Sequence, residues 1–430
     1  MISAAASPLE FVLRCSECGR SVAADGTGAC SSCGGLLEFS LVAGREFGVA
    51  GYRKTLESRR GSTSVLDRSG VWRFRELLPP LDPAHVVTLR EGDVPLYEAP
   101  RGAAYAGASR VRYLHLGMNP TASFKDAGMT VAISHARARG ARIAVCASTG
   151  NTSASMAAYA SRCGMTAVVL VPQSGISQAK LAQTLDYGAR VIAIDGDFDA
   201  ALEFVRTLDP ARYALVNSVN PLRIEGQKTM ALVLLEWTGW NVPDWVLLPG
   251  GNLGNSSALG KGFREAFELG LSERVPRLGV VQAQGAAPLV RAFETGEELQ
   301  PVVAKTSATA IKIGAPASWR KALREVRSSH GTVTAVSDEE IADARAVVGA
   351  EGIGCEPASA ASLAGLRQLV RSGVVGRDED VVLVLTGHLL KDAAYAADYH
   401  SSGATYSNPI LLVRDAHEVR GHLQRLEDAG

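Results

Sequence analysis

Lys125 stands in NPTASFKDAGM, residues 119–129, behind a proline turn, two small hydroxyl residues and Phe124, and ahead of an alanine-rich stretch that reads as a helix. Taken alone it would be an ordinary surface lysine. A lysine whose charge is offset in a closed pocket, however, becomes a Schiff-base nucleophile. A second stretch, LPGGNLGNSSALGKG, sets Gly250, Gly251 and Gly254 between a strand and a helix. Backbone amides at such a turn, aided by the helix dipole, hold an anion without positive side chains. The stretch lacks the Lys-Ser/Thr of a nucleotide-phosphate loop and the GxGxxG spacing of a dinucleotide fold, so it suits a lone phosphate, or else is a plain strand-to-helix turn. An anchored lysine, a phosphate cradle and a polar group for a ring nitrogen together describe a site for pyridoxal phosphate.

The cysteines suggest different chemistry. Cys15 with Cys18 and Cys30 with Cys33 form two CxxC pairs, CSECG and CSSCGG. Thiolates two residues apart on a tight turn can face one metal, and two such turns fill a tetrahedral site, which makes a structural zinc ribbon the expectation over residues 11–40. Unpaired or redox cysteines are the plainer alternative. Cys146, Cys163 and Cys355 lie among apolar or alanine-rich neighbours and read as core.

The elements that must position these residues follow from periodicity. From about residue 142 apolar strands alternate with helical stretches: RIAVCAS, TAVVLVP, RVIAI and YALV, then a second series of DWVLLPG, LGVVQA, TVTAV and DVVLVLTG. DFDAALEFVRTL and PLRIEGQKTMALVLLEW are among the helical stretches, and Ser337 with Glu340 forms a capping box at another. The expected fold is α/β: two doubly wound open-sheet domains plus the small ribbon. The boundaries read 41–110 with 241–395 for the larger domain, 111–240 for the smaller and 396–430 for a C-terminal extension. Such domains bind ligands in a crevice at the carboxyl ends of their strands, where the quoted motifs fall. With 430 residues and 47% hydrophobic content there is enough for two cores. Lys plus Arg, 44, equals Asp plus Glu, 44, so no global field attracts nucleic acid or an acidic membrane. MALVLLEW is too short to span a bilayer and the first residues lack a secretory pattern, so a cytoplasmic protein with small-molecule partners is expected.

NPTASFKDAGM, STGNTSASMAAYA, NSVNPLRIEGQKT, GGNLGNSSALGKGF, IKIGAPASWRKA, EGIGCEPASAASLAGL and TGHLLKD occur in this order, and the set resembles threonine synthase, a family of fold type II pyridoxal-phosphate enzymes. The ribbon with CGGLLEF also resembles the N-terminal ribbon of many members. The resemblance implies that Lys125 carries the cofactor with Phe124 beside its ring, and that Asn151 faces the phenolic oxygen. The loop of Gly250, Gly251, Asn252, Leu253, Gly254 and Asn255 would hold the phosphate, and Thr386 the pyridine nitrogen, leaving it largely unprotonated. Ser148, Thr149 and Thr152 would take the substrate carboxylate, and Asn217, Ser218 and Arg223 its phosphate. The implied reaction converts O-phosphohomoserine and water to threonine and phosphate, with Lys125 as anchor and acid/base, in a homodimer. Isolated examples of these polar residues would be read as helix caps.

The sequence departs from the family pattern at Val94, Leu114, Leu116, Ala122, Ala127, Gly175 and Ala315. These changes support a second reading: a diverged enzyme of the same fold, resembling cysteate synthase, that acts on another phosphorylated amino acid or adds another nucleophile.

Overall fold

A computed structural model describes residues 9–23, 29–42, 48–173, 178–195, 204–205, 207–209 and 212–428. Gly175 and most of DFDAALEFVRTL lie outside the described residues. Near the N-terminus a three-stranded antiparallel sheet, order β2-β1-β3, joins β1 (Glu10–Cys15), β2 (Ser21–Val22) and β3 (Leu37–Val42).

The expected α/β architecture is present. The smaller sheet is all parallel, order β8-β7-β6-β9, built from β6 (Ile143–Ala147), β7 (Thr166–Pro172), β8 (Arg190–Ile194) and β9 (Tyr213–Leu215). The larger contains β4 (Leu96–Glu98), β5 (Arg110–His115), β10 (Trp245–Pro249), β11 (Arg277–Ala283), β12 (Thr332–Val336) and β13 (Asp380–Leu385), in the order β12-β11-β10-β13-β5-β4. Only the β4–β5 pairing in it is antiparallel.

The boundary drawn at residue 110 cuts one strand too early, because β5 pairs with β13 along its whole length, from Arg110↔Asp380 to His115↔Leu385. Its sequence, RVRYLH, hides this. Arg112 is tied to Asp380 at 2.6 Å while Val111 and Tyr113 are buried, so the strand does not read as a continuous apolar run.

In both sheets the strand order reverses beside the residues of interest: β10 leads away through β11 and β12, while β13 and β5 lie on its other side. The carboxyl ends of β10 and β13 therefore flank a switch point, as do those of β6 and β9.

Helix Pro221–Trp237 joins the two layers. Asn220 caps it by accepting from the Leu222 amide at 2.9 Å, Pro221 opens its first turn, and residues 221–235 are all buried. A helix buried on every side belongs to the interior. It crosses helix Lys125–Ala138 so closely that a Cβ on Gly226 would lie 1.9 Å from the Ala127 carbonyl oxygen. Helix Gly254–Glu268 packs against it through a buried charge cluster in which Lys228 meets Glu225 at 2.6 Å and Glu265 at 2.7 Å, and Lys261 also pairs with Glu225. Lys261 donates in addition to the Phe39 carbonyl of β3, which fastens the small N-terminal sheet to these helices.

The capping box is formed: Ser337 accepts from the Glu340 amide and Glu340 from that of Ser337, opening helix Asp338–Ala350. The C-terminal segment docks on the larger domain through the Tyr399 hydroxyl, which donates to Asp343 at 2.6 Å, and through an edge contact of Tyr406 with Tyr105.

Candidate functional site

A cleft of about 830 Å³ opens between the two sheets. Lys125 enters it at the first residue of helix Lys125–Ala138, its Nζ 4.1 Å from the centre of the Phe124 ring. The preceding turn is stitched to the end of β13. The Phe124 amide donates to the Thr386 carbonyl at 2.9 Å, that of His388 donates to the Ala122 carbonyl at 3.0 Å, and Ser123 bridges Gly387. Upstream, the Gly92 amide donates to Asn119 at 2.8 Å, fixing the other flank of the turn. Asp126, buried just beyond the lysine, accepts from the Thr121 amide and from Ser155 and so locks the turn onto helix Asn151–Arg162.

The Lys125 amine is lowered to about 7 by burial among these walls and then by the nearby Arg223 charge, with Glu356 acting in the opposite sense. It is poised to be neutral near physiological pH, as a nucleophile or base requires.

Ala122 lines the cleft with φ +65°, the left-handed region that favours glycine. Ala122→Gly is expected to stabilise the protein by about 0.5–1 kcal/mol, the left-handed penalty less the glycine entropy cost. A chemical-denaturation midpoint that does not rise would refute the strain.

The glycine loop follows β10. Gly251 faces the cleft, and a Cβ there would come within 3.1 Å of the Ala310 carbonyl oxygen; one on Gly250 would lie 2.6 Å from Val280. Gly250 does not line the cleft but packs behind it, donating to Val281. Leu253 is left-handed at φ +63° and turns the chain into helix Gly254–Glu268. In that first turn the buried side chains of Asn255 and Ser256 have no partner among the described residues. Unsatisfied polar atoms beside a helix N-terminus, in a loop with no room for side chains, fit a phosphate. The lysine, this cradle and Thr386 fit pyridoxal phosphate as a set.

Asn252 donates to Ser218 and accepts from Ala317, so it links the loop to the smaller domain. Asn217 bonds both the amide and the carbonyl of Ala147, at 3.3 and 3.1 Å; its amide group holds the ends of β6 and β9 together. Ser148, Thr149, Asn151 and Thr152 rim the cleft where helix Asn151–Arg162 begins. Arg223 is 1% exposed, donates to the Val216 carbonyl at 3.0 Å, leaves its Nε without a partner and makes no ion pair among the described residues. Burial lowers it to about 10, still charged at neutral pH.

Several cleft residues carry no assignment from sequence. Glu356 accepts from the Asn151 side chain at 3.0 Å and from Thr386 at 3.3 Å, and burial raises its pKa. Gln183, Gln227 and Lys391 also line the cleft, with Lys391 donating to Gln183. The signal for Glu356 was an acid directly before the proline that opens helix Pro357–Arg371, which reads as a cap yet makes no capping bond.

Of the departures from the family pattern, Val94, Leu114, Leu116 and Ala127 are fully buried and none lines the cleft; Ala315 is exposed, also outside it. Only Ala122 among those described faces the site.

In the N-terminal sheet the four Sγ atoms of Cys15, Cys18, Cys30 and Cys33 lie within 4.8 Å of one another. The Cys15–Cys33 and Cys18–Cys30 separations are 3.4 and 3.8 Å. An edge of about 3.8 Å is expected for four thiolates around one zinc. Gly19 and Gly34, both left-handed, close the two turns.

Residues 87–387 match the family described as pyridoxal-phosphate dependent enzyme. The chain is 42% identical to threonine synthase from Methanosarcina acetivorans, over 94% of this chain and 98% of that one. It is 48% identical to threonine synthase from Mycobacterium bovis, over 79% and 93%. Among solved structures it resembles an L-serine ammonia-lyase from Rhizomucor miehei, with a TM-score of 0.62, 22% identity and coverage of 73% and 98%. A threonine deaminase from Solanum lycopersicum matches with a TM-score of 0.60 at 17% identity, over 83% and 94%. Those two likenesses bear on the fold, that of fold type II enzymes. The chain belongs to the pyridoxal-phosphate dependent enzymes, and within them to the threonine synthase family.

Proposed function

We propose that this protein converts O-phosphohomoserine and water to L-threonine and phosphate, using pyridoxal phosphate carried by Lys125. The observation that carries this reading is Arg223: a buried guanidinium without a carboxylate partner among the described residues, in the same cleft as a depressed lysine. A buried unpaired charge is costly and calls for an anion. The cradle at Gly251–Asn255 takes the phosphate of the cofactor, so Arg223 with Ser218 is left for the substrate's, while Asn217 holds that wall in place. When bound, the cofactor supplies an electron-withdrawing ring that eases loss of the proton beside the substrate amino group. Lys125, near 7, takes and returns protons at that carbon and its neighbours. The substrate carboxylate lies at the start of helix Asn151–Arg162, among Ser148, Thr149 and Thr152, where open amides favour an anion. Asn151 holds the cofactor's phenolic oxygen and Thr386 its ring nitrogen.

Arg223→Lys is expected to lower kcat/KM about a hundredfold, mostly through KM, because an ammonium cannot replace paired charge-assisted bonds worth about 1.5–3 kcal/mol each. Steady-state kinetics that match the parent would remove Arg223 from the substrate site. The reaction itself is tested by incubating cofactor-loaded protein with O-phosphohomoserine, measuring phosphate and identifying the amino acid by mass spectrometry. Threonine equal to phosphate supports the proposal; phosphate without threonine, or none, defeats it. We further place one zinc on Cys15, Cys18, Cys30 and Cys33, and the enzyme in the cytoplasm as a homodimer. Metal analysis and light scattering check the first and last of these. Among the described residues no helix is long and apolar enough to cross a membrane.

A further inference from the structure

Glu356 sits where the two expected ring contacts meet. One carboxylate oxygen accepts from Asn151 at 3.0 Å, the other from the Thr386 hydroxyl at 3.3 Å. It is 4% exposed, and its amide donates to the Gly387 carbonyl at 3.0 Å. The place is shaped for it: a Cβ on Gly387 would fall 2.2 Å from the carboxyl carbon. Facing it are Lys125 from helix Lys125–Ala138, Lys391 from the segment after β13, Asn151 and Thr386, with Cys355 beside it in the chain.

The hydrogens around Thr386 can be counted. Ser359 Oγ accepts from the amides of Thr386 and Gly387 at 2.9 and 3.0 Å, which uses both its lone pairs. Its own proton is therefore given away, and the nearest acceptor is Thr386 Oγ1 at 2.9 Å. Thr386 then has one lone pair and one proton left, to divide between Glu356 and whatever lies in the cleft. If Glu356 is ionised, Thr386 donates to it and turns a lone pair to the cleft, which suits a protonated ring nitrogen. If Glu356 is neutral, its O–H donates to Thr386, and the threonine proton is free for a bare ring nitrogen. The ionised acid with a bare nitrogen leaves one acceptor without a donor.

We propose that Glu356 and the ring nitrogen of the bound cofactor share a single proton through the Thr386 hydroxyl, which makes Glu356 the positioning residue that sets how strongly the ring withdraws electrons. This rests on the reading that Thr386 meets that nitrogen. Burial favours the neutral pair at rest, with the proton on Glu356. Ionisation of the acid pulls the threonine proton away from the ring.

The test loads the full-length protein with cofactor carrying ¹⁵N at the ring nitrogen and follows that nucleus by NMR from mildly acid to alkaline pH, for the parent, Glu356→Gln and Thr386→Val. The parent nitrogen is expected to shift as the acid ionises. In Glu356→Gln, whose amide donates to Thr386 at every pH, that shift is lost and the nitrogen stays bare and hydrogen-bonded. Thr386→Val, which keeps the acid but cuts the relay, changes the resonance and also loses its pH dependence, so the question survives even if the glutamine variant does not fold. A pH-dependent shift that is absent from the parent, retained in Glu356→Gln, or retained in a Thr386→Val protein whose resonance differs from the parent's overturns the proposal. A Thr386→Val resonance identical to the parent at every pH overturns instead the placement of Thr386 at the ring.

Discussion

Lys125→Ala abolishes the visible absorbance of bound cofactor and lowers turnover by at least about a thousandfold, since it removes both the anchor and a general acid/base worth about 10²–10⁴ by itself. The variant should fold normally: Lys125 opens its helix, and its turn is held by backbone bonds to Thr386 and His388 that alanine keeps. The sign of the pH dependence follows from the depressed amine. Below about 7 it is charged and cannot attack the cofactor aldehyde. The rate of cofactor capture by the unloaded protein should thus be flat in alkali and fall about tenfold per pH unit in acid. Stopped-flow absorbance measures this directly. A Lys125→Ala protein with the parent's spectrum and turnover would sink the assignment.

Glu225→Gln is the most damaging change expected for stability. Glu225, Lys228, Lys261 and Glu265 are buried together, two charges of each sign, with contacts of 2.6 and 2.7 Å about Lys228. Removing one negative charge strands a buried ammonium, a change that typically costs about 3–5 kcal/mol. At roughly 2–4 °C per kcal/mol for a large chain, the melting temperature should drop on the order of 10 °C. The control is Glu268→Gln on the same helix: Glu268 is exposed, and its pair with the half-buried Arg264 contributes about 0.5 kcal/mol or less. Equal losses from the two variants would mean that the inner cluster is not held as paired charges.

Much of the fold was legible because parallel strands buried on both faces give continuous apolar runs: VVLVL and WVLLP announce β13 and β10 without ambiguity. Strand β5 was not, since Arg110 and Arg112 interrupt its apolar residues, the first exposed and the second tied to Asp380 of β13. The site divides in the same way. The glycines and Lys125 are visible because backbone geometry and reactive groups restrict residue type at their own positions. Glu356 is not, because its meaning lies in Thr386 and Asn151, residues from two other elements that only the folded chain brings to it. Asn217 shows a third case: found by motif, it spends its amide on Ala147 and so acts on the wall of the cleft.

The stitch between the lysine turn and the end of β13 also has a consequence in time. During synthesis Lys125 leaves the ribosome long before Thr386, Gly387 and His388 have been made, yet those late residues fix its turn. A nascent chain halted anywhere before the last strand lacks the bonds that hold this turn from the β13 side, and contacts between such distant segments form slowly. The turn that presents the lysine is therefore closed on this side only after β13 has been made and has docked, so its final geometry is set late in folding.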